Sequence, residues 1–188
     1  YPYNSQNIIR LIIGENSQIS LIEENYSINQ LSKDKLDKYI KQKISSFDQN
    51  EHWSDLLNLS LSCTQNILGL KINGSEIPPI EIFSHASSNS LNAKTLVIFL
   101  EKNCDIELLQ VNLGEENSSL SQSTFFFLEE NSSLNHGVVS YGENGSNLLN
   151  SLNVIQQKNS EYNLGSLHFK FNYARFEINI KQSEGNAK

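Results

Sequence analysis

The apolar positions of the chain change their period partway along. From Ser32 to Ile44 they recur at helical spacing: Leu36, Ile40 and Ile44 fall on one stripe, surrounded by Lys and Asp. Ser32 is placed to cap that helix, because its hydroxyl can accept an otherwise unpaired N–H of the first turn. A second short helix is expected over residues 51–61, with Trp53, Leu57 and Leu61 on one face and Asp48, Gln49 and Asn50 as the break before it. After Cys63 the pattern turns extended. Ile67 to Ile72 ends at Asn73-Gly74, a turn dipeptide, and Ile80-Glu81-Ile82-Phe83 follows Pro78-Pro79, which cannot donate to a ladder and so belong outside it. Phe169, Phe171 and Tyr173 alternate, and then Phe176, Ile178 and Ile180 alternate on the opposite parity. Such a shift marks a bulge or corner.

The extended half also repeats itself. Leu100-Glu101-Lys102-Asn103-Cys104-Asp105-Ile106 corresponds to Leu128-Glu129-Glu130-Asn131-Ser132-Ser133-Leu134 at an offset of 28 positions, and residues 12–21 hold a looser third copy. Each copy is strand, polar corner, strand, with no room for a helix. Stacked coils satisfy this pattern, since each coil buries an apolar face against the next and like residues meet at each corner. Leu100, Ile106, Leu128 and Leu134 should then point inward. The competing explanation is a chance likeness between two hairpins of a β-sandwich. The expected fold is mainly β: a right-handed β-helix (β-solenoid) core over residues 63–188, behind an N-terminal segment, residues 1–62, with two short helices.

Composition agrees with a fold rich in corners. There are 25 Asn and 27 Ser, whose side chains bond nearby backbone. A net charge of −7 argues against nucleic acid and anionic membranes as partners. No apolar run approaches the roughly 18 residues of a membrane span, and the opening Tyr1-Pro2-Tyr3-Asn4 resembles no signal peptide. The absence of an initiating Met suggests a chain that begins mid-protein. Cys63 and Cys104 lack the spacing of a disulfide framework, and the chain reads as soluble and cytoplasmic.

Candidate chemistry is sparse. His85, His136 and His168 lie in or beside predicted strands, but no two stand at i, i+2 or i, i+4, and the close His-x-His pair of a cupin-type metal site is missing. Two cysteines cannot alone hold an iron–sulfur cluster, and Cys104 takes the place of Ser132 in the other copy, so that corner does not require a thiol. Glu129-Glu130 is a weak acid/base pair, because neighbouring side chains at a corner diverge. Gly142-Glu143-Asn144-Gly145 has the glycines of a phosphate loop without a following Lys-Ser/Thr. No catalytic, cofactor-binding or metal residue is assigned.

Several stretches carry a resemblance: HWSDLLNLSL, then NILGLKINGSEIPPIEIFSHASS, TLVIFLEKNCDIELLQ and FFFLEENSSLNH. In order, they resemble the SufB/SufD family of iron–sulfur cluster assembly proteins. Trp53, Leu57-Asn58, Pro79-Ile80 and Leu96 through Asn103 stand where the family has its aromatic-bearing helix, proline-led strand and polar corner. Arg175-Phe176-Glu177-Ile178-Asn179-Ile180 with Glu184-Gly185-Asn186-Ala187 is similar to a later family segment, Glu177 departing from the usual Asp or Asn. The short connection from Ser84-His85-Ala86 to Leu96, and Val111-Asn112-Leu113-Gly114 where the SufB side has a Cys, favour the SufD side. The resemblance covers residues 52–188. It implies a non-catalytic scaffold that pairs with a SufB-like protein and reaches a SufC-like ATPase through a C-terminal helical domain; separately, the apolar edge strand from Tyr173 to Ile180 is expected to pair with its own copy in a homodimer. Lys188 is expected to fall short of that domain. The complex would handle the cluster, with none bound by this chain alone. The rival function is a solenoid or cupin-like enzyme acting on a carbohydrate or small metabolite, against which Glu81, Glu107 and Glu177 read as scattered over unrelated coils.

Overall fold

Asn89, Asn103, Asn117, Asn131 and Asn159 all adopt left-handed backbone, with φ between 56° and 59°, and Gly145 at 74° completes the series 89, 103, 117, 131, 145, 159. The step is 14 residues, half the repeat read from sequence. At each of these positions the chain turns a corner of four residues. The N–H of the fourth donates to the C=O of the first, as from Cys104 to Glu101 and from Ser132 to Glu129. A turn of this kind needs positive φ at its third residue, which Asn and Gly adopt at least cost. The fourth residue is Ser or Cys. The hydroxyls of Ser90, Ser118, Ser132, Ser146 and Ser160 all donate back to the first residue's C=O.

The computed structural model describes residues 8–13, 19–21, 28–32, 34–36, 38, 67–74, 76–183 and 185–188. Its strands are β1 (Ile9–Ile13), β2 (Ile19–Leu21), β3 (Ile28–Gln30), β4 (Ile67–Ile72), β5 (Ile80–Ala86), β6 (Leu91–Leu100), β7 (Asp105–Gly114), β8 (Ser119–Leu128), β9 (Ser133–Gly142), β10 (Asn147–Gln156), β11 (Glu161–Phe169) and β12 (Tyr173–Gln182). They alternate between two sheets, ordered β11-β9-β7-β5-β1-β2 and β12-β10-β8-β6-β4-β3. Among β4 to β12 all pairing is parallel, and the register is 28 residues from coil to coil up to β11: Leu100 on Leu128, Asp105 on Ser133, Ser133 on Glu161. The fold is a parallel β-solenoid with two strands per turn, as the repeat predicted.

Because 14 is even, one parity faces inward throughout. Leu96, Ile98, Leu100, Ile106, Leu108, Phe126, Leu128, Leu134, Leu152 and Val154 form a single buried core, each 3% exposed or less. The four leucine and isoleucine positions expected inside are inside. The two sheets differ on their outer faces. Phe99, Phe125, Phe127, Val97 and Ile155 of the second sheet are also buried, in a layer that includes Leu31 and Leu36, and Phe99 stacks on Phe127 at 4.8 Å. That is why Thr95–Leu100 and Ser123–Leu128 read as unbroken apolar runs, the mark of strands covered on both faces. In the first sheet, β7 and β9 alternate cleanly.

The N-terminal residues join the same sheets. β1 runs parallel to β5, with Ile9 opposite Ile80, while β2 and β3 add antiparallel strands at the sheet ends. Residues 34–36 and 38 are helical, and the Leu36 N–H donates to the Ser32 C=O at 2.9 Å, as expected of a helix beginning at Ser32. Leu36 lies over Gly69, where a Cβ would meet its Cδ1 at 2.6 Å, so only glycine lets this turn approach the sheet. Ile40, Ile44 and the expected helix at 51–61 fall outside the described residues. A corner does lie near Tyr173, with Lys170 at φ 63° and a register of 26 between Asn147 and Tyr173, but it is shortened by two residues and so keeps the parity: Phe169 and Tyr173 lie on the outward row, and Phe176, Ile178 and Ile180 on the inward one. Beyond β12, Lys188 returns to the coil: its N–H donates to the Ser160 C=O and its C=O accepts from the Tyr162 N–H.

The corner asparagines do two things at once. Besides adopting positive φ, Asn131 donates to the Asn103 carboxamide at 3.2 Å and accepts from Asn159 at 3.1 Å, a ladder at 28-residue spacing. Substitution separates the two roles. Asn131→Ala should lower stability by about 1–2 kcal/mol through backbone strain plus the lost ladder. Asn131→Gly keeps the backbone and should cost measurably less. The urea midpoints of the two variants give the comparison, and equal losses would show that the ladder alone matters.

Candidate functional site

A trough of about 720 Å³ crosses the outer face of the first sheet. The coil register builds it. One row runs Arg10, Glu81, Leu109, Gly137, Gly165 over β1, β5, β7, β9 and β11, and the next runs Glu107, Asn135, Asn163. Arg10 Nε donates to Glu81 Oε2 at 2.6 Å, and Asn163 Nδ2 donates to Asn135 Oδ1 at 3.0 Å. Gly137 and Gly165 present no side chain, which leaves the floor open toward the last coil. The sequence reading had placed Glu81 and Glu107 on unrelated coils. They lie instead on adjacent strands and line one trough, because Glu107 is two residues before the partner of Glu81. Glu177 stands apart on the second sheet, paired with Arg175. With Glu81 held by a guanidinium, Glu107 is the exposed acid of the trough, beside a row of carboxamides suited to polar, extended ligands.

The histidines go to three different environments. His85 faces outward, and its Nε2 lies 2.8 Å from Glu115 Oε1. Glu115 also accepts from the N–H and hydroxyl of Ser88, and these bonds, with the one from His85, hold its carboxyl below the usual range. His136 is 2% exposed and faces the core against Phe126. Its Nε2 lies 3.2 Å from Gln110 Oε1 and its Nδ1 lies 3.0 Å from the Tyr162 hydroxyl. The consistent assignment is a neutral imidazole that donates from Nε2 and accepts at Nδ1 from the phenol. Burial pushes His136 down to about 3 and raises the Tyr162 phenol. His168 is half-buried against Phe176 on the last coil, and burial lowers it too. His52 lies outside the described residues.

The remaining candidates are structural. Cys104 is the fourth residue of a corner, fully buried, and burial together with Asp105 and Glu101 pushes its thiol up to about 11, the opposite of a reactive thiolate. Cys63 lies outside the described residues. Glu130 is exposed and takes the Lys102 ammonium at 3.0 Å across one coil, which lowers its carboxyl. Gly142-Glu143-Asn144-Gly145 is a corner, where Gly145 takes the left-handed position of the Asn series at φ 74°. Among the described residues no three His, Cys, Asp or Glu side chains gather as a metal site needs, and no helix is long and apolar enough to cross a membrane. What sequence reasoning missed is the trough, although extending the 28-residue offset through Glu107, Asn135 and Asn163 would have drawn one of its rows.

No family model matches the chain, and no curated protein or solved structure is significantly similar to it.

The burial of His136 has a pH consequence. Its folded pKa is below its unfolded value of about 6.5, so the unfolded chain binds the extra proton and stability falls as pH drops from 6.5 toward 3. The full cost is on the order of 3–5 kcal/mol. His136→Gln, which can still hydrogen-bond to Gln110 and Tyr162 but does not titrate, should flatten this dependence. Urea midpoints of both proteins between pH 7 and 4 give the test, and parallel curves would show that His136 accepts a proton in place.

Proposed function

We propose that this chain is a non-catalytic scaffold subunit of the SUF iron–sulfur cluster assembly machinery, similar to SufD, that pairs with a SufB-like protein and acts with a SufC-like ATPase. The observation that carries the reading is the stacking of Leu-Glu-x-Asn corners in a 28-residue parallel coil. The family resemblance implied that architecture from the same residues. The chemistry supports it as well: the buried histidine is neutral, the described thiol is buried with a raised pKa, and the carboxylates at the corners are spent on neighbouring coils. The pairing surface in this reading is the last coil. There, among the described residues, β11 and β12 each have one edge without a neighbouring strand. Ile178 is 45% and Ile180 52% exposed, an apolar row beside open backbone groups.

A second reading draws on the trough. Glu107 beside the Asn135–Asn163 row favours a solenoid that binds or cleaves a polar polymer such as a glycan, with cleavage requiring a second acid that Glu81, held by Arg10, supplies poorly.

Co-expression separates the two. Tagged chain co-expressed with a SufB-like protein and a SufC-like ATPase should retain the SufB-like protein through size exclusion, and Ile178→Lys should reduce that retention at least about tenfold, the effect of about 1.4 kcal/mol. Glu107→Gln should leave it unchanged. Failure of the SufB-like protein to co-purify, together with glycan binding abolished by Glu107→Gln, would overturn the scaffold reading in favour of the trough.

A further inference from the structure

The inward positions of the coil are not all apolar. On the second sheet Lys94, Gln122 and Asn150 stack in register over β6, β8 and β10. On the first sheet Ser84, Asn112, Ser140 and His168 stack over β5, β7, β9 and β11. All but His168 are 1% exposed or less. Gln110, one inward position before Asn112, and Thr124, one after Gln122, are equally buried. Together these side chains form a polar layer between two apolar ones. On one side lies the main core, with Ile82, Leu96, Val138 and Leu152. On the other lies the small cluster of Ala86, Leu120 and Leu148, with Phe171 packed against it.

Within the layer the side chains satisfy one another only in part. Asn112 Nδ2 donates to Ser140 Oγ at 3.1 Å, and Gln110 Oε1 accepts from His136. Ser84 Oγ, Gln110 Nε2, Asn112 Oδ1, Thr124 Oγ1, both polar atoms of Gln122 and both of Asn150 have no protein partner. A buried polar group left dry costs about 1–3 kcal/mol. Eight of them would rival the whole stability of a domain, roughly 5–15 kcal/mol. The layer must therefore be solvated from within.

Its chemistry selects the ligand. Carboxamide N–H donors and carbonyl acceptors occur side by side, in the same residues. A metal cation would use the acceptors alone and an anion the donors alone, whereas water serves both. We propose that the coil encloses a file of ordered water molecules, bound by Gln110, Asn112, Gln122, Thr124 and Asn150 and extending toward the half-buried His168 on the last coil. At about three hydrogen bonds per buried water, eight atoms call for about three molecules. This inference is independent of the scaffold reading, since it rests on the coil interior alone.

Magnetic relaxation dispersion of water on the whole chain tests it, because the amplitude counts long-lived internal molecules. The expected result is an amplitude of about three waters in the wild-type chain, reduced by at least about one in Gln122→Leu/Asn150→Leu. Should that double variant fail to fold, water-selected cross-relaxation to the Gln122 and Asn150 side-chain amide protons of the wild-type chain decides the matter. An amplitude near zero overturns the proposal, as does one unchanged in the folded variant. So does an absence of cross-relaxation at both amides. A melting temperature that rises steeply with one particular anion at constant ionic strength would also overturn it, since an ion would then fill the layer.

Discussion

The structure depends on one backbone constraint, a left-handed residue every 14 positions. An L-amino acid in that conformation loses on the order of 1–2 kcal/mol, so the sequence supplies Asn at five corners and Gly at the sixth. Fixing the corner fixes everything between corners. Ten residues span most of the full strands, the parity that faces inward never changes, and the coils up to β11 lie 28 residues apart. Corner backbone groups are then paired between coils, as from Asn103 N–H to Glu130 C=O and from Glu129 N–H to Leu100 C=O. The turn and the ladder support each other. Where the spacing contracts, at 170–172, the register drops to 26, which is still even, so the inward parity is kept.

Equal spacing also means that like positions stack, and stacking decides what each column can contain. Phe99 on Phe127 is favourable because rings stack, and Asn103, Asn131 and Asn159 because a carboxamide both donates and accepts. Charge must alternate: Lys102 meets Glu130 one coil away. The inner polar columns follow a weaker rule. Ser84, Asn112 and Ser140 face Gln122 and Asn150 across the coil, and most of their polar atoms find no protein partner. A column that neither packs nor pairs fully has to admit solvent, and this coil tolerates one because apolar clusters seal it on both sides.

The coil was legible in the sequence because the 28-residue copy preserves residue type at the corner, from Leu100 to Ile106 against Leu128 to Leu134. The half period was not read, although Asn103, Asn117 and Asn131 display it. The two halves share only the corner residue and its following Ser or Cys, while their strands differ in how many faces they bury. β1 to β3 were missed for a different reason. Their strands are three to five residues long, too short to establish a period, and two of them pair antiparallel, outside the repeat. Among candidate sites, the inertness of Cys104 was readable from its equivalence to Ser132. The partnership of His136 with Gln110 and Tyr162 was not, since it joins three coil positions at 26-residue separations that no repeat equates.

The trough and the last coil illustrate how one register gives a solenoid two kinds of surface. Across the sheet face, successive coils offer rows such as Glu107, Asn135 and Asn163, whose repeat favours ligands that are themselves extended. At the coil end the same register offers unpaired backbone and an apolar column, Phe176, Ile178 and Ile180, which favours another β-strand. The first kind of surface keeps its polar groups in water when empty, and the Arg10–Glu81 pair with the Asn135–Asn163 bond satisfies part of it internally. The second leaves Ile178 and Ile180 exposed, although the Lys188 C=O already takes the Tyr162 N–H. Burying Ile178 and Ile180 completely would itself contribute about 1.5–3 kcal/mol each, before any ladder bond is counted. That difference in what each surface lacks sets what each would take: an extended polar ligand along the trough, and another strand of coil at the end.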